Sequence, residues 1–183
     1  GDIHGGLRAL EQVLKLVPKT SDALFIFLGD YVDGWSESAE TVSFLINFSE
    51  NNSCIFLRGN HDELLYNFLK HQDNNPMWLA NGGESSKESY AKLSEAEIVI
   101  HLQFFENLKN YYIDSENKLY CHAGFTDQKG PQHEHFPNMV YWDRTLWEMA
   151  CSIDPSLSKT DEKFPNRLKL FNEIYIGHTP VTR

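Results

Sequence analysis

The chain has 183 residues, of which 41% are hydrophobic and 13% aromatic, enough for a single globular domain with a sizeable core. Its formal net charge of −10 disfavours nonspecific binding to nucleic acid or to an anionic membrane. No apolar run approaches the ~20 residues of a membrane span.

In chain order, LRALEQVLKLV (7–17) places Leu7, Leu10, Val13, Leu14 and Val17 at helical spacing. Residues 24–28 predict a buried strand, and SAETVSFLINFS (38–49) a helix capped by Ser38. CIFL (54–57) is a second strand, followed by the helix DELLYNFLK (62–70) with Asp62 as its cap. Ser94 and Glu97 have capping-box spacing and open a longer helix over 94–108. Residues 111–114 and 118–123 flank the turn SENK and predict a hairpin; 173–177 is a last strand. The alternation indicates an α/β fold, at least partly parallel, with ligands bound beyond the carboxyl ends of the strands.

The loops at those carboxyl ends share a pattern. Read alone, GDYVDGW (29–35) is a turn, since Asp bonds its own backbone and Gly permits positive φ. Yet Gly29-Asp30 comes after one strand, RGNHD with Asn60 and His61 after another, CHAG with His122 after a third, and GHTP with His178 after a fourth. The chain opens with GDIHGG, in which Asp2 and His4 face one side of an extended segment. Asp2, His4, Asp30, Asn60, His122 and His178 are therefore expected on one edge of one sheet. An oxygen and nitrogen donor set without thiolate suits Mn²⁺, Fe or Zn²⁺ rather than a structural Cys-type zinc. Such ions would also give an acidic protein the local positive centre it needs to handle phosphate.

GDIHGG is the one such loop with no strand before it, so a strand is expected ahead of Gly1 and others beyond Arg183. The chain is read as one domain, 1–183, lacking its first and its C-terminal strands. Cys54 and Cys121 lie in strand-like runs as small hydrophobes, and three cysteines give no pairing framework. A reducing, cytoplasmic compartment is expected.

The motifs GDIHG, GDYVDG, RGNHD, HAG and GHTP, in that order and over nearly the whole chain, resemble the phosphoprotein phosphatase superfamily of calcineurin-like metallophosphoesterases. WLANGGESSKESY (78–90) is similar to a segment of its bacterial and phage serine/threonine phosphatase branch. The resemblance implies a β-sandwich core with flanking helices, built on a βαβαβ metal-binding scaffold. It implies two divalent metal ions, Mn²⁺ with Fe or Zn²⁺ as alternatives: Asp2 and His4 on the first, Asn60, His122 and His178 on the second, Asp30 bridging. A hydroxide shared by metals ~3.5–4 Å apart would attack phosphorus in line. By the same resemblance, His61 is the general acid, Asp33 orients it, and Arg58 and Arg144 grip phosphate oxygens. One departure is visible: most relatives carry an arginine after the second Asp, where this chain has Gly34-Trp35. Trp35 then offers apolar or stacking contact at the rim.

The expected function is a metal-dependent phosphomonoesterase acting on phosphoserine and phosphothreonine in proteins, or on small phosphoesters, with no nucleic-acid or membrane partner. The alternatives are a dinucleoside polyphosphate hydrolase and a non-catalytic binding module of the same fold. His133 and His135 are expected in a solvated loop, His71 and His101 at surface or helix-end positions, and Phe136, Tyr141, Trp142 and Trp147 in packing roles. Asp114, Asp127 and Asp143 are expected either in turns or as supports behind the site.

Overall fold

The computed structural model describes residues 1–18, 20 and 23–181. Helix α1 (Leu7–Leu16) leads to β1 (Leu24–Phe27), α2 (Ser38–Ser49), β2 (Ser53–Phe56) and α3 (Asn60–His71). A single turn, α4 (Pro76–Trp78), runs through a kinked segment at 79–83 into α5 (Glu84–Tyr90). Helix α6 (Glu95–Glu106) precedes the hairpin of β3 (Tyr111–Ile113) and β4 (Lys118–Cys121). Helices α7 (Thr145–Ser152) and α8 (Asn166–Lys169) precede β5 (Glu173–Tyr175). No helix among the described residues is long and apolar enough to cross a membrane.

Strands β1 and β2 pair in parallel with Phe25 opposite Cys54, while β3, β4 and β5 form a second sheet, antiparallel then parallel. The donor residues therefore end strands of two sheets rather than of the single sheet expected from the sequence. Packing brings the carboxyl ends of the two sheets together without a shared ladder. The His122 ring spans the two sheets through a bond to the carbonyl of Leu28. The cores follow the same division. Leu10, Tyr31, Val32, Val42, Leu45, Leu65, Trp78 and Phe105 fill one cluster, and Leu119, Cys121, Phe125, Val140, Leu146 and Phe171 the other.

Several local expectations need correction. Strand β1 is only half-buried, with Leu24 47% exposed, because β2 covers one edge and no strand covers the other among the described residues. Ser38 is the first residue of α2 but does not cap it; its hydroxyl is buried and bonded elsewhere. Asp62 is the third residue of α3, whose cap position is Gly59, and it contributes to the cap by accepting from the Gly59 N–H. Ser94 and Glu97 do form the capping box. The three cysteines are free, Cys121 buried and Cys151 exposed. Asp114, Asp127 and Asp143 accept from backbone N–H groups two to four residues on, as turn residues do.

His101 is not at the surface: it is 3% exposed, with Nε2 3.0 Å from the Ser43 hydroxyl and Nδ1 3.0 Å from the Tyr90 hydroxyl. Burial pushes its pKa down to about 4, against a smaller upward pull from Glu97. Between pH 4 and 6.5 the unfolded chain binds a proton here that the folded chain does not, so stability falls as pH falls through that window. The His101 contribution to the loss approaches about 3 kcal/mol near pH 4. Urea unfolding of wild type and His101→Gln at about pH 7.5 and 4.5 checks this, the variant being expected to lose less on acidification. Equal losses would sink it.

Candidate metal centre

Two glycines let the loops after β1 and β2 touch. A Cβ on Gly29, where φ is +99°, would lie 2.4 Å from the Gly59 nitrogen; a Cβ on Gly59 would lie 2.1 Å from Asp30 Oδ1. Neither position admits a side chain without moving the other loop. Asp62 then fastens the crossing: its carboxylate accepts from the N–H groups of Gly59 (2.8 Å), Asp30 (2.8 Å) and Tyr31 (2.9 Å). The opening segment joins on, the N–H groups of Ile3 and His4 donating to the Asp30 carbonyl at 2.8 and 2.9 Å. The last loop closes the ring through the His178 N–H, 3.2 Å from both oxygens of Asp2. Among the described residues six non-glycine positions have positive φ, and four of them are His4, Asp30, Asp33 and His178. Such strain persists where surrounding contacts over-determine the backbone, which is common at functional sites.

The side chains converge on Asp30. His4 donates from Nδ1 to the Val32 carbonyl (3.1 Å), so its Nε2 lone pair faces Asp30 Oδ2 at 3.7 Å and Asp2 Oδ2 at 4.0 Å. His122 donates from Nδ1 to the Leu28 carbonyl (2.8 Å), and its Nε2 lies 3.2 Å from Asp30 Oδ2 and 3.1 Å from Asn60 Oδ1. A backbone carbonyl that fixes the tautomer in this way is the usual support of a metal-ligating histidine. Lone pairs aimed at oxygen acceptors repel unless a proton or a cation lies between them. His178 Nε2 is buried without a partner among the described residues. Its pKa is pushed down to about 4, by burial first and then by His122 and Arg144, so the ring is neutral and free to ligate. Two groups of donors lie within 4.8 Å of one another: His4, Asp30 and His61, and Asp30, His122 and His178. Asp30 belongs to both. Burial opposes its charge, but the hydrogen bond from His122 and the charges of His122, His61 and His4 outweigh it and hold its pKa at about 2. His4, Asp30, His122 and His178 thus converge, with Asn60 against His122, while Asp2 stands 4.0 Å from His4 and belongs to neither group; this oxygen and nitrogen donor set suits divalent cations.

His61 stands beside this centre, its ring 4.9 Å from that of His4 and its N–H donating to Asp30 Oδ1 at 3.0 Å. Its Nδ1 donates to Asp33 Oδ2 at 2.7 Å. Burial alone would lower the His61 pKa; the hydrogen bond to Asp33 and the charges of Asp30 and Asp33 raise it instead. Asp33 is fully buried and accepts two further bonds, from Trp78 Nε1 (2.7 Å) and from the Ser86 hydroxyl (2.6 Å). Its own N–H donates to Ser86 Oγ and to Ser38 Oγ, at 2.9 and 3.0 Å. This is where the hydroxyl of Ser38 goes in place of capping α2. Gly82, at φ +102°, packs its backbone on Gly34, whose N–H donates to the Gly82 carbonyl at 3.3 Å. Sequence reasoning missed Ser86, Ser38 and Asp62 as supports. Only the position of Ser86 in the NGGESS stretch, and of Asp62 directly after His61, gave a signal.

The two arginines differ. The Arg58 guanidinium donates to Glu63 and to the Phe105 carbonyl (2.8 Å), so both contacts hold it in place. Arg144 is exposed, with its charge acting on His178. Tyr141 is packed in the core and Trp142 packs against it with its ring 6.5 Å from that of His178, whereas Phe136 is 62% exposed and does not take the expected packing role. His133 and His135 are exposed and belong to neither donor group; His71 is exposed at the end of α3.

Loops at strand ends that wrap a carboxylate-centred histidine cluster define a class, α/β proteins with a candidate metal-binding site at the strand ends. The profile of the calcineurin-like phosphoesterase family matches residues 1–183, and the chain belongs to that family. It is similar to the bis(5'-nucleosyl)-tetraphosphatase PrpE (asymmetrical) of Geobacillus sp. (strain WCH70), 24% identical over 196 residues that cover 99% of this chain and 77% of the relative. Among solved structures it resembles a protein serine/threonine phosphatase from Saccharomyces cerevisiae with similarity to human phosphatase PP5, with 20% identity, 93% of this chain covered and a TM-score of 0.51. It also resembles a cold-active protein tyrosine phosphatase, with 16% identity, 97% of this chain covered and a TM-score of 0.59. The chain spans 46% and 62% of the length of those two structures. At these identities the likeness is one of fold. The family uses divalent metals, and the two donor groups are the residues able to hold them here.

Proposed function

We propose that this domain is a dinuclear-metal phosphomonoesterase acting on phosphoserine and phosphothreonine. The observation that carries the proposal is the pairing of His61 with a buried Asp33, itself held by Trp78 and Ser86, beside the Asp30 centre. Asp2, His4 and Asp30 would hold one cation and Asp30, Asn60, His122 and His178 the other, with Mn²⁺ the expected metal. When bound, two such cations neutralise phosphoryl oxygens and activate the attacking water. The rest falls to the protein. Asp33 fixes the His61 tautomer and stabilises its protonated form, so that Nε2 presents a proton to the oxygen leaving phosphorus. A serine alkoxide is a poor leaving group and needs that proton. Arg144, exposed beside His178, is the arginine free to meet a substrate oxygen. Arg58 would have to release Glu63 first.

A second reading, hydrolysis of dinucleoside polyphosphates, is favoured by the similarity to the tetraphosphatase across nearly the whole chain. Mn²⁺-dependent release of phosphate from a phosphoserine peptide, run beside cleavage of diadenosine tetraphosphate, separates the two. Turnover of the peptide at the higher kcat/KM is expected. A preference for the dinucleotide would replace the first reading with the second, and no turnover of either would overturn both.

A further inference from the structure

A cleft of about 460 Å³ opens beside the metal-ligand loop, between the first turn of α1 and the loop after Asp33, lined by Ile3, Gly6, Arg8, Ala9, Trp35 and Glu37. Ile3 lies between Asp2 and His4 in the chain, and the Trp35 N–H donates to the His4 carbonyl at 2.9 Å, so the loop that carries His4 is tied to the loop that lines the cleft. Trp35 is 71% exposed. An indole left mostly in water next to a reaction centre is unexplained by packing, and tryptophan is a strong stacking surface. The ring lies over the start of α1, Cδ1 standing 3.8 Å from where a Cβ at residue 6 would be. Glu37 and Arg8 face each other across the cleft mouth, Nε to Oε1 at 4.0 Å, and both are solvent-accessible. The cleft thus combines an aromatic side chain, a donor fork and an acceptor carboxylate in its lining.

We propose that this cleft binds the nucleobase of a nucleoside polyphosphate whose phosphate chain reaches the Asp30 centre, with Trp35 the residue that determines this specificity. The base stacks on Trp35; Glu37 accepts from an exocyclic amine, and Arg8 donates to a ring nitrogen or to the adjoining phosphate. An aromatic side chain of a phosphopeptide would use the stacking wall alone and leave the Arg8–Glu37 pair unmatched. A base uses all three. The proposal rests on the second of the two substrate readings, and its test is kept independent of turnover.

AMP and ribose 5-phosphate are titrated against the protein in EDTA by isothermal titration calorimetry, for wild type, Trp35→Ala and Trp35→Tyr. Wild type is expected to bind AMP about 5- to 150-fold more tightly than ribose 5-phosphate, the range that base–aromatic stacking gives. Trp35→Ala is expected to abolish that preference and Trp35→Tyr to restore most of it. Equal affinity for the two ligands in wild type would overturn the proposal, as would an AMP preference that survives Trp35→Ala. Binding of an aromatic phosphopeptide but not AMP through Trp35 would overturn it as well. Because metal and chemistry are absent from the titration, an inactive or protein-specific enzyme would not by itself decide the outcome.

Discussion

His61→Gln is expected to lower kcat for a phosphoserine peptide by about 10²- to 10⁴-fold, the usual contribution of a positioned general acid. Glutamine keeps much of the volume and polarity of the ring but delivers no proton. The loss should shrink for p-nitrophenyl phosphate, whose leaving group departs without protonation. Asp33→Asn should behave in the same way, because it removes the charge that supports the protonated ring 2.7 Å away. The double variant should be hardly worse than either alone, as groups acting as one unit are strongly non-additive. Steady-state kinetics with both substrates, together with metal analysis of each variant, checks the prediction. A variant that keeps full activity on phosphoserine rules out His61 as the acid. One that has lost a metal instead makes His61 a ligand, a role its place in the His4–Asp30 group leaves geometrically open.

Asp30→Asn should have the largest effect on metal content. Asparagine preserves the volume and tolerates the left-handed backbone at this position, where φ is 53°. It also keeps an acceptor for the His61 N–H, so the fold is expected to survive. The substitution removes the one charged oxygen that faces both His4 and His122. Changes to residues that merely support ligands cost about 10- to 100-fold in metal affinity, so the loss for a shared carboxylate should be at least about 100-fold. Titration calorimetry with Mn²⁺ measures it directly. A thermal melt gives a second readout: Mn²⁺ should raise the midpoint of wild type and leave that of Asp30→Asn nearly unmoved. Two tightly held metals in the variant would mean that Asp30 does not bridge.

The family, the alternation of helices and strands, and the residues that meet at the centre were legible in the sequence, because each depends on local pattern. Apolar runs of four, helical spacing of leucines, and glycines beside Asp, Asn and His need no knowledge of distant contacts. Local pattern misled where a polar side chain had a choice of partners. Ser38 has the spacing of a cap yet bonds Asp33 across the loops, and Asp62 bonds the Gly59 N–H of its own helix start but also reaches across to Asp30 and Tyr31. His101 on a helix looks exposed until Ser43 and Tyr90 enclose it. Arg58 carries a phosphate-binding pattern, but Glu63 and the Phe105 carbonyl take up its donors. Residue order was thus enough to anticipate that His4, Asp30, Asn60, His122 and His178 meet. Packing alone selected two sheets to supply them, anchored Asp33 on Trp78 and Ser86, and left Trp35 in solvent beside the centre. A hydrogen bond between residues dozens of positions apart is chosen by which backbones pack together, and no local periodicity records that choice.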